Sequence, residues 1–401
     1  MNSRFVTRRR TGFLAAGLVA QFYGTTFVKA QMPSSTISGN IFTVDVRDFG
    51  ARGDGIADDT AAINRAIAHL KAQRKSIDAF PIGPKLIFPP GIYLVKSSIN
   101  LTNLQILNMV LEGNGSVIVG ACAGEPVIDA MGSRWLMVRD LVIIGDQLSM
   151  PSVGIQIGRT TDAVADNHRF VDLKVVGHFG LACLVNVAAE TTGFDHIFLW
   201  NYNKNINSYC LIQDGLNHFR TASKFVATRT EQDRDDSFNE NEFINCDFRH
   251  AGGGIPIFLG ETSRHRFYRC YAVGIGKAVF MIYCGHNSHD MLEIDCHCET
   301  GALRSIFLFS GSLKCPIVRG FSFKDHAPFA TNFIFSCDGS IEHVTLEHVK
   351  IEIGFYPSPN CRVFEHPPQW TITGSYYSSM KGQWNAGQQF KGTIYLGSSV
   401  E

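Results

Sequence analysis

The sequence predicts an all-β chain wound as a parallel β-helix, a solenoid of about 24 residues per coil with an N-terminal capping α-helix. The first observation behind this is a repeat: Glu242–Phe248, Arg266–Ala272 and Asp290–Cys296 follow one another at intervals of 24 residues. Extended outwards, the register sets a leading apolar residue at Phe170, Phe194, Phe219, Phe243, Phe267, Met291, Ile317 and Ile341. The second observation is the content of each copy. Counting the leading residue as zero, position three (Leu173, Ile197, Cys246, Cys270, Ile294) and position five (Val175, Leu199, Phe248, Ala272, Cys296) are mostly small or apolar, as one inward face of a strand requires. The jump from zero to three breaks strand parity and implies a bend. The third observation is a second short apolar run in most copies, such as Leu184–Val187, Ile255–Leu259 and Val279–Tyr283, where a helical solenoid would need 3.6-residue periodicity.

Taken in order, residues 1–30 read as an export signal. Arg4, Arg8, Arg9 and Arg10 form a basic head, Gly12 to Val19 an apolar middle, and Val28-Lys29-Ala30 an end suited to signal peptidase. Arg9-Arg10-Thr11-Gly12-Phe13-Leu14 is also twin-arginine-like, so the expected location is periplasmic or secreted. No later apolar run approaches the ~20 residues of a membrane span, so no membrane insertion is expected. The remainder, 31–401, is expected as a single β-helix domain with an N-terminal cap and first coils over 42–120, regular coils over 135–366 and a C-terminal cap over 367–401. The 36 basic and 36 acidic residues cancel, which argues against a nucleic-acid partner. Eleven cysteines lie beyond the signal. Several occupy inward repeat positions, so mostly free, buried thiols are expected rather than disulfides. In Cys296-His297-Cys298, strand alternation turns the two thiols inward and His297 outward, which argues against a metal site.

The first mature segment contains Phe42-Thr43-Val44-Asp45-Val46-Arg47-Asp48-Phe49-Gly50-Ala51-Arg52-Gly53-Asp54-Gly55, Leu86-Ile87-Phe88-Pro89-Pro90-Gly91-Ile92-Tyr93 and Val110-Leu111-Glu112-Gly113-Asn114-Gly115. These motifs, over about residues 42 to 120, closely resemble the opening of the pectate-lyase-like superfamily, which includes rhamnogalacturonase-, epimerase- and phage tailspike-type proteins. The resemblance implies a right-handed β-helix and a polysaccharide partner, without choosing a reaction; related β-helices often assemble as a homotrimer, and the sequence does not itself fix the oligomeric state. The acidic residues here are read structurally. Gly53 and Gly55 supply turns, Asp58 or Asp59 caps a helix, and Ile63, Ala66, Ile67 and Leu70 form its buried stripe over the open end of the coil stack. Further on, the charged stretch Thr228–Asn241 is read as a solvated loop or a lip over a groove. Gly145–His168 is read as an insertion.

Chemistry is expected where outward positions two, four and six of adjacent coils gather groups that stability does not need. That register brings Asn245, Asp247, Arg249, Arg269, Tyr271, Glu293, Asp295 and His297 together on a patch about 10 Å square. Phe198, Trp200 and Phe321 flank it as sugar platforms, with Asn245 and Arg249 as further substrate contacts. Asp247 and Asp295, two coils apart with Tyr271 between them, match the roughly 6.5–9.5 Å carboxyl separation of an inverting glycosidase. Asp295 is the expected proton donor, since Glu293 crowds it with negative charge, and Asp247 the base. The alternative is a polysaccharide lyase, with Arg249 or Arg269 neutralising a uronate and Tyr271 or His297 as base. A second alternative is a non-catalytic glycan-binding β-helix that uses the aromatic residues alone. No calcium cluster is evident, and no cofactor is expected.

Overall fold

The computed structural model describes residues 43–72, 83–161, 163–215, 218–220, 240–260, 263–285, 289–300, 303–325, 331–338, 340–353, 362–365, 369–378 and 392–396. Contacts divide the chain into Met1–Ile41 and Phe42–Glu401. The expected export signal, and all but the last two residues of the charged stretch Thr228–Asn241, lie outside the described residues.

Among the described residues the second unit is a parallel β-solenoid built from an 18-stranded sheet and a ten-stranded return sheet. One apolar ladder runs through it: Val44, Leu86, Leu111, Val138, Phe170, Phe194, Phe243, Phe267, Ile294, Phe323 and Ile351 pair in sequence, coil on coil. The rings of Phe194 and Phe243 stack with centroids 4.5 Å apart, and those of Phe243 and Phe267 at 4.6 Å. These are offset-stacked aromatic pairs sealed from water, each worth more than its buried area alone.

The ladder corrects the constant period. Phe194 pairs directly with Phe243, so Phe219 leads no coil; its ring lies instead against Tyr209 and Phe258, beside the return sheet. Ile294, not Met291, follows Phe267. Phe323 and Ile351 then take the places expected for Ile317 and Ile341. Nor is Gly145–His168 purely an insertion, because Val153–Gly158 is a rung of the return sheet.

The bend inferred from broken parity is real and has a backbone signature. Asp140, Asp172, His196, Asn245 and Arg269 form a column of left-handed residues with φ between 52° and 53°. At this corner the coil splits into short strands, Gly193–Asp195 then Phe198–Asn201, and Glu242–Ile244 then Asp247–His250. Asn and Asp tolerate this conformation; His196 and Arg269 adopt it because the coils on either side fix the turn.

The return strands, such as Ala182–Val187 and Ile255–Gly260, are buried on both faces, as parallel strands covered on both sides are. Their inner face completes the main core, and a second cluster including Val185, Tyr209, Ile212, Phe258 and Leu308 covers the outer one. The helix Thr60–Ala72 buries Ile63, Ala66, Ile67 and Leu70 as expected. Asn64 ties it to the first coil through Ser98 and Asn100. The two aspartates divide the work: Asp58 accepts from Thr60 N at the helix start, while Asp59 accepts from Arg52 N and Gly53 N and closes the preceding turn. Gly53 has φ 63°, and a Cβ there would meet the Tyr93 ring at 2.9 Å.

Nine of the ten described cysteines are buried, and all ten are free. Cys296 and Cys298 point inward while His297 is half-exposed. At the far end Gln369–Ser378 pairs antiparallel with Gly392–Leu396, and Trp370 is buried against Phe309 and Phe335. No helix among the described residues is long and apolar enough to cross a membrane.

Candidate active site

The corner sorts the expected site residues into two outward faces. Past the corner, Phe198, Asp247, Tyr271 and His297 stand in one row, register partner on register partner. Two residues further along, Trp200, Arg249, Val273 and Glu299 make the next row. Before the corner stand Glu242, Arg266 and Glu293, with Tyr268 beside them.

The expected pairing of Asp247 with Asp295 is therefore corrected. His297 occupies the place next to Tyr271, and Asp295 lies two residues back, at the corner. The cause is the length of the coil: Ile294 stands 27 residues after Phe267, three more than the 24-residue repeat, and the corner then gives one residue back. Strand Ser263–Gly274 shifts register between Phe267 and Cys270, where Tyr268 and Arg269 oppose Asp295 alone, so the next strand runs straight from His289 to Thr300. Asp295 has Lys324 as its partner in the following coil. Glu293 is on the near side of the corner in an ion pair with Arg266 at 3.2 Å. Asn245 and Arg269 are the left-handed corner residues, and Arg269 lies over the Tyr268 ring at 4.9 Å. Phe321, expected as an exposed platform, is 0% exposed and packs on Phe307 and Phe335. Gly320, with φ 62°, places the turn one residue ahead of it and reverses its parity.

The residues left past the corner hold one another. Both Asp247 oxygens accept from Arg249, at 3.0 Å from Nε and 2.7 Å from Nη2. That guanidinium lies 5.3 Å from the Phe198 centroid, 5.8 Å from Trp200 and 5.0 Å from Tyr271, a cation boxed by three rings. Trp200 meets Tyr202 edge-on at 4.9 Å, which prolongs the aromatic wall. Tyr271 stacks on His297 at 5.3 Å.

Glu299, absent from the expected set, links this group. Its carboxylate accepts from the Tyr271 hydroxyl and lies 3.4 Å from His297 Nε2. Burial, and next its bond to Glu299, push the Tyr271 phenol up to about 12, so it is held as a proton donor. The same bond, assisted by His297 and Arg249, holds Glu299 below the usual carboxylate range. Its signal was present in the sequence: Cys298, two residues past Cys296, is the second inward thiol, and placing it opposite Ala272 puts Glu299 opposite Val273.

Elsewhere, Asp214 is buried at the end of a return strand and is 2.7 Å from His218 Nδ1, whose ring packs on Tyr283. Among the described residues no group of three or more His, Cys, Asp or Glu is placed to hold a metal ion.

A stack of parallel coils carrying an aromatic wall and a titratable cluster on one outer face is the architecture of a carbohydrate-active, pectate-lyase-like solenoid. The family of rhamnogalacturonase A/epimerase, pectate lyase-like proteins matches residues 43–259, more than half of the sequence, and the chain belongs to it. A probable glucan endo-1,3-beta-glucosidase of Arthroderma benhamiae is 40% identical over 90 residues, which are 22% of this chain and 9% of that protein. A non-secreted LysM effector of Penicillium expansum is 36% identical over 98 residues, 24% of this chain and 6% of that one. Both matches thus span a small fraction of the relatives' length. Among solved structures, a hyperthermoactive exopolygalacturonase from Thermotoga maritima superposes with a TM-score of 0.50 at 11% identity, over 88% of this chain and 94% of that one, a likeness of fold.

Proposed function

We propose that the protein cleaves a uronic-acid-containing polysaccharide by β-elimination at the patch past the corner. The single observation that carries this reading is that Glu299 is shared by Tyr271 and His297. It orients two proton-transfer groups side by side, one held protonated and one able to accept. In this reading the imidazole of His297 takes the proton from C5 of the uronate, and Glu299 stabilises the imidazolium that forms. The C4–O bond breaks, Tyr271 gives its proton to the leaving oxygen, and a double bond forms between C4 and C5. Arg249 supplies positive charge for the uronate carboxylate, and Phe198 and Trp200 offer faces to neighbouring sugar rings.

Hydrolysis is the second reading. Its support is that Asp247 and Glu299 flank Tyr271, and both raise the phenol's affinity for its proton. Against it, both Asp247 oxygens are engaged by Arg249, and Glu299 is held below the usual carboxylate range, the opposite of the raised pKa that a general acid needs.

The test is to incubate the protein with polyuronates and with neutral polysaccharides, following reducing ends and near-ultraviolet absorbance together. Elimination raises both. Reducing ends without absorbance would establish hydrolysis and overturn the first reading. A glycan bound but never cleaved would leave a binding protein and overturn both.

A further inference from the structure

The face before the corner carries a second feature that cleavage does not use. The row Arg169, Gly193, Glu242, Arg266, Glu293 and Ser322 crosses six coils, about 24 Å at the usual strand spacing. Two concavities lie along it. One, of about 240 Å³, is bordered by Arg169, Thr192, Glu242 and Arg266. The other, of about 680 Å³ and more open, is bordered by Tyr268, Glu293, Asp295, Ser322 and Lys324.

The first hollow depends on Gly193. A Cβ there would lie 1.9 Å from Nη1 of Arg169, so the missing side chain is what lets that guanidinium lie across the neighbouring coil. The groove also differs from an ordinary charged surface in what is left unpaired. Arg266 with Glu293 and Arg264 with Glu240 are joined. Among the described residues Arg169, Glu242, Asp295 and Lys324 have no ion-pair partner, although Asp295 and Lys324 are opposite one another in register. Tyr268 is 46% exposed and lines the second hollow, with Arg269 over one face of its ring and the other face left for a ligand.

We infer that this groove is a second glycan site, separate from the cleavage patch, which binds a neutral oligosaccharide strand. Carboxylates and guanidinium groups in alternation match the paired donors and acceptors of sugar hydroxyls, and an exposed tyrosine gives a ring face to stack on. The neutrality follows from the lining. Arg169, Arg264, Arg266 and Lys324 are balanced by Glu240, Glu242, Glu293 and Asp295, so a polyanion finds no net attraction there. The glycan class rests on the family assignment and the reading above; the position and the neutrality rest on the groove.

Titration of the purified protein by calorimetry with laminaripentaose, cellopentaose, mannopentaose and xylopentaose, and with a galacturonate pentamer, tests the site. At least one neutral pentasaccharide should bind. Tyr268→Ala and Glu242→Ala should each weaken it tenfold or more while the cleavage rate on a polymeric substrate stays within twofold of the parent. Tyr271→Phe should do the reverse, so failure of the groove and failure of the cleavage reading are separable. Both groove positions face solvent, and thermal melting of the variants checks that they fold. Binding of none of the four neutral sugars would overturn the inference. So would unchanged affinity in both groove variants, or binding of the galacturonate alone.

Discussion

The two outward faces of the same coils are built from the same residue types and differ in how those residues are satisfied. Past the corner, every ionisable group leans on another: Arg249 on Asp247 and three rings, Tyr271 and His297 on Glu299. Before the corner, Arg266 and Glu293 make one water-exposed ion pair and their neighbours reach into an open groove. A ladder of charges is therefore not in itself a site. What distinguishes a reactive patch is that partial desolvation and shared partners fix protonation states, whereas an exposed pair is worth at most about 1 kcal/mol and is screened by salt.

That contrast is broken or sharpened by substitutions on either side. The largest effect is expected at Glu299 and Tyr271. Glu299→Gln or Tyr271→Phe should each lower the cleavage rate by roughly 10²–10⁴-fold, the usual contribution of a positioned proton-transfer group, with melting temperature nearly unchanged. A rate within fivefold of the parent in both variants would remove the patch from the chemistry. Next comes Arg249→Lys, which keeps the charge but loses the two-pronged grip on Asp247 and the flat stack against the rings. A loss of about 10- to 100-fold in kcat/KM is expected, recorded under saturating and limiting substrate to separate binding from turnover.

Acid should weaken both faces together rather than one. Burial lowers His250, at the end of the strand that carries Asp247 and Arg249, to about 4, and His168, next to Arg169, also to about 4. An unfolded chain takes up those protons near pH 6.5 and the folded one does so only near pH 4, so stability holds above about pH 6.5 and falls as the pH drops towards 4. The bound is about 3 kcal/mol for each histidine, and urea midpoints measured from pH 7 to pH 4 follow it. A flat profile over that range would show that neither imidazole is kept neutral. The smallest effect is expected at Asp295→Asn and Glu293→Gln, whose cleavage rates should stay within a few-fold of the parent. A hundredfold loss at Asp295 would return it to the chemistry and undo the distinction between the faces.

How much of this was legible follows from where the chain keeps its count. Phe170, Phe194, Phe243 and Phe267 could be aligned by eye because each of their coils keeps one left-handed corner residue. Phe219 matched by arithmetic alone, since a spacing of half the Phe194-to-Phe243 interval imitates a missing coil. From Phe267 onward the corner changes: Asp295 stands where two residues stood, and a two-residue slip along the strand exchanged Asp295 for His297 and His297 for Glu299 in the rows past the corner. Spacing records length, whereas register depends on where a bulge is spent. Phe321 shows the same limit from the other side, because aromatic content reads alike for a platform and for a core residue until Gly320 fixes parity. The N-terminal motifs escaped it, since their glycines and aspartates act within a few residues of themselves.

The buried thiols set an order of events for folding. Cys183 lies against Cys210, and Cys246 against Cys270; burial, then the neighbouring thiol, push the Cys183 and Cys246 thiols well above the usual thiol range, so both stay protonated. A thiol held protonated in a sealed interior reacts sluggishly with oxidants, so the finished solenoid protects its buried cysteines, though not the exposed Cys315. The unfolded chain has no such protection. A sulfur oxidised before the coils close brings polar oxygen into an apolar column packed from both sides. Oxidant thus spares these buried columns after folding and damages them before it, and the yield of native protein depends on which comes first.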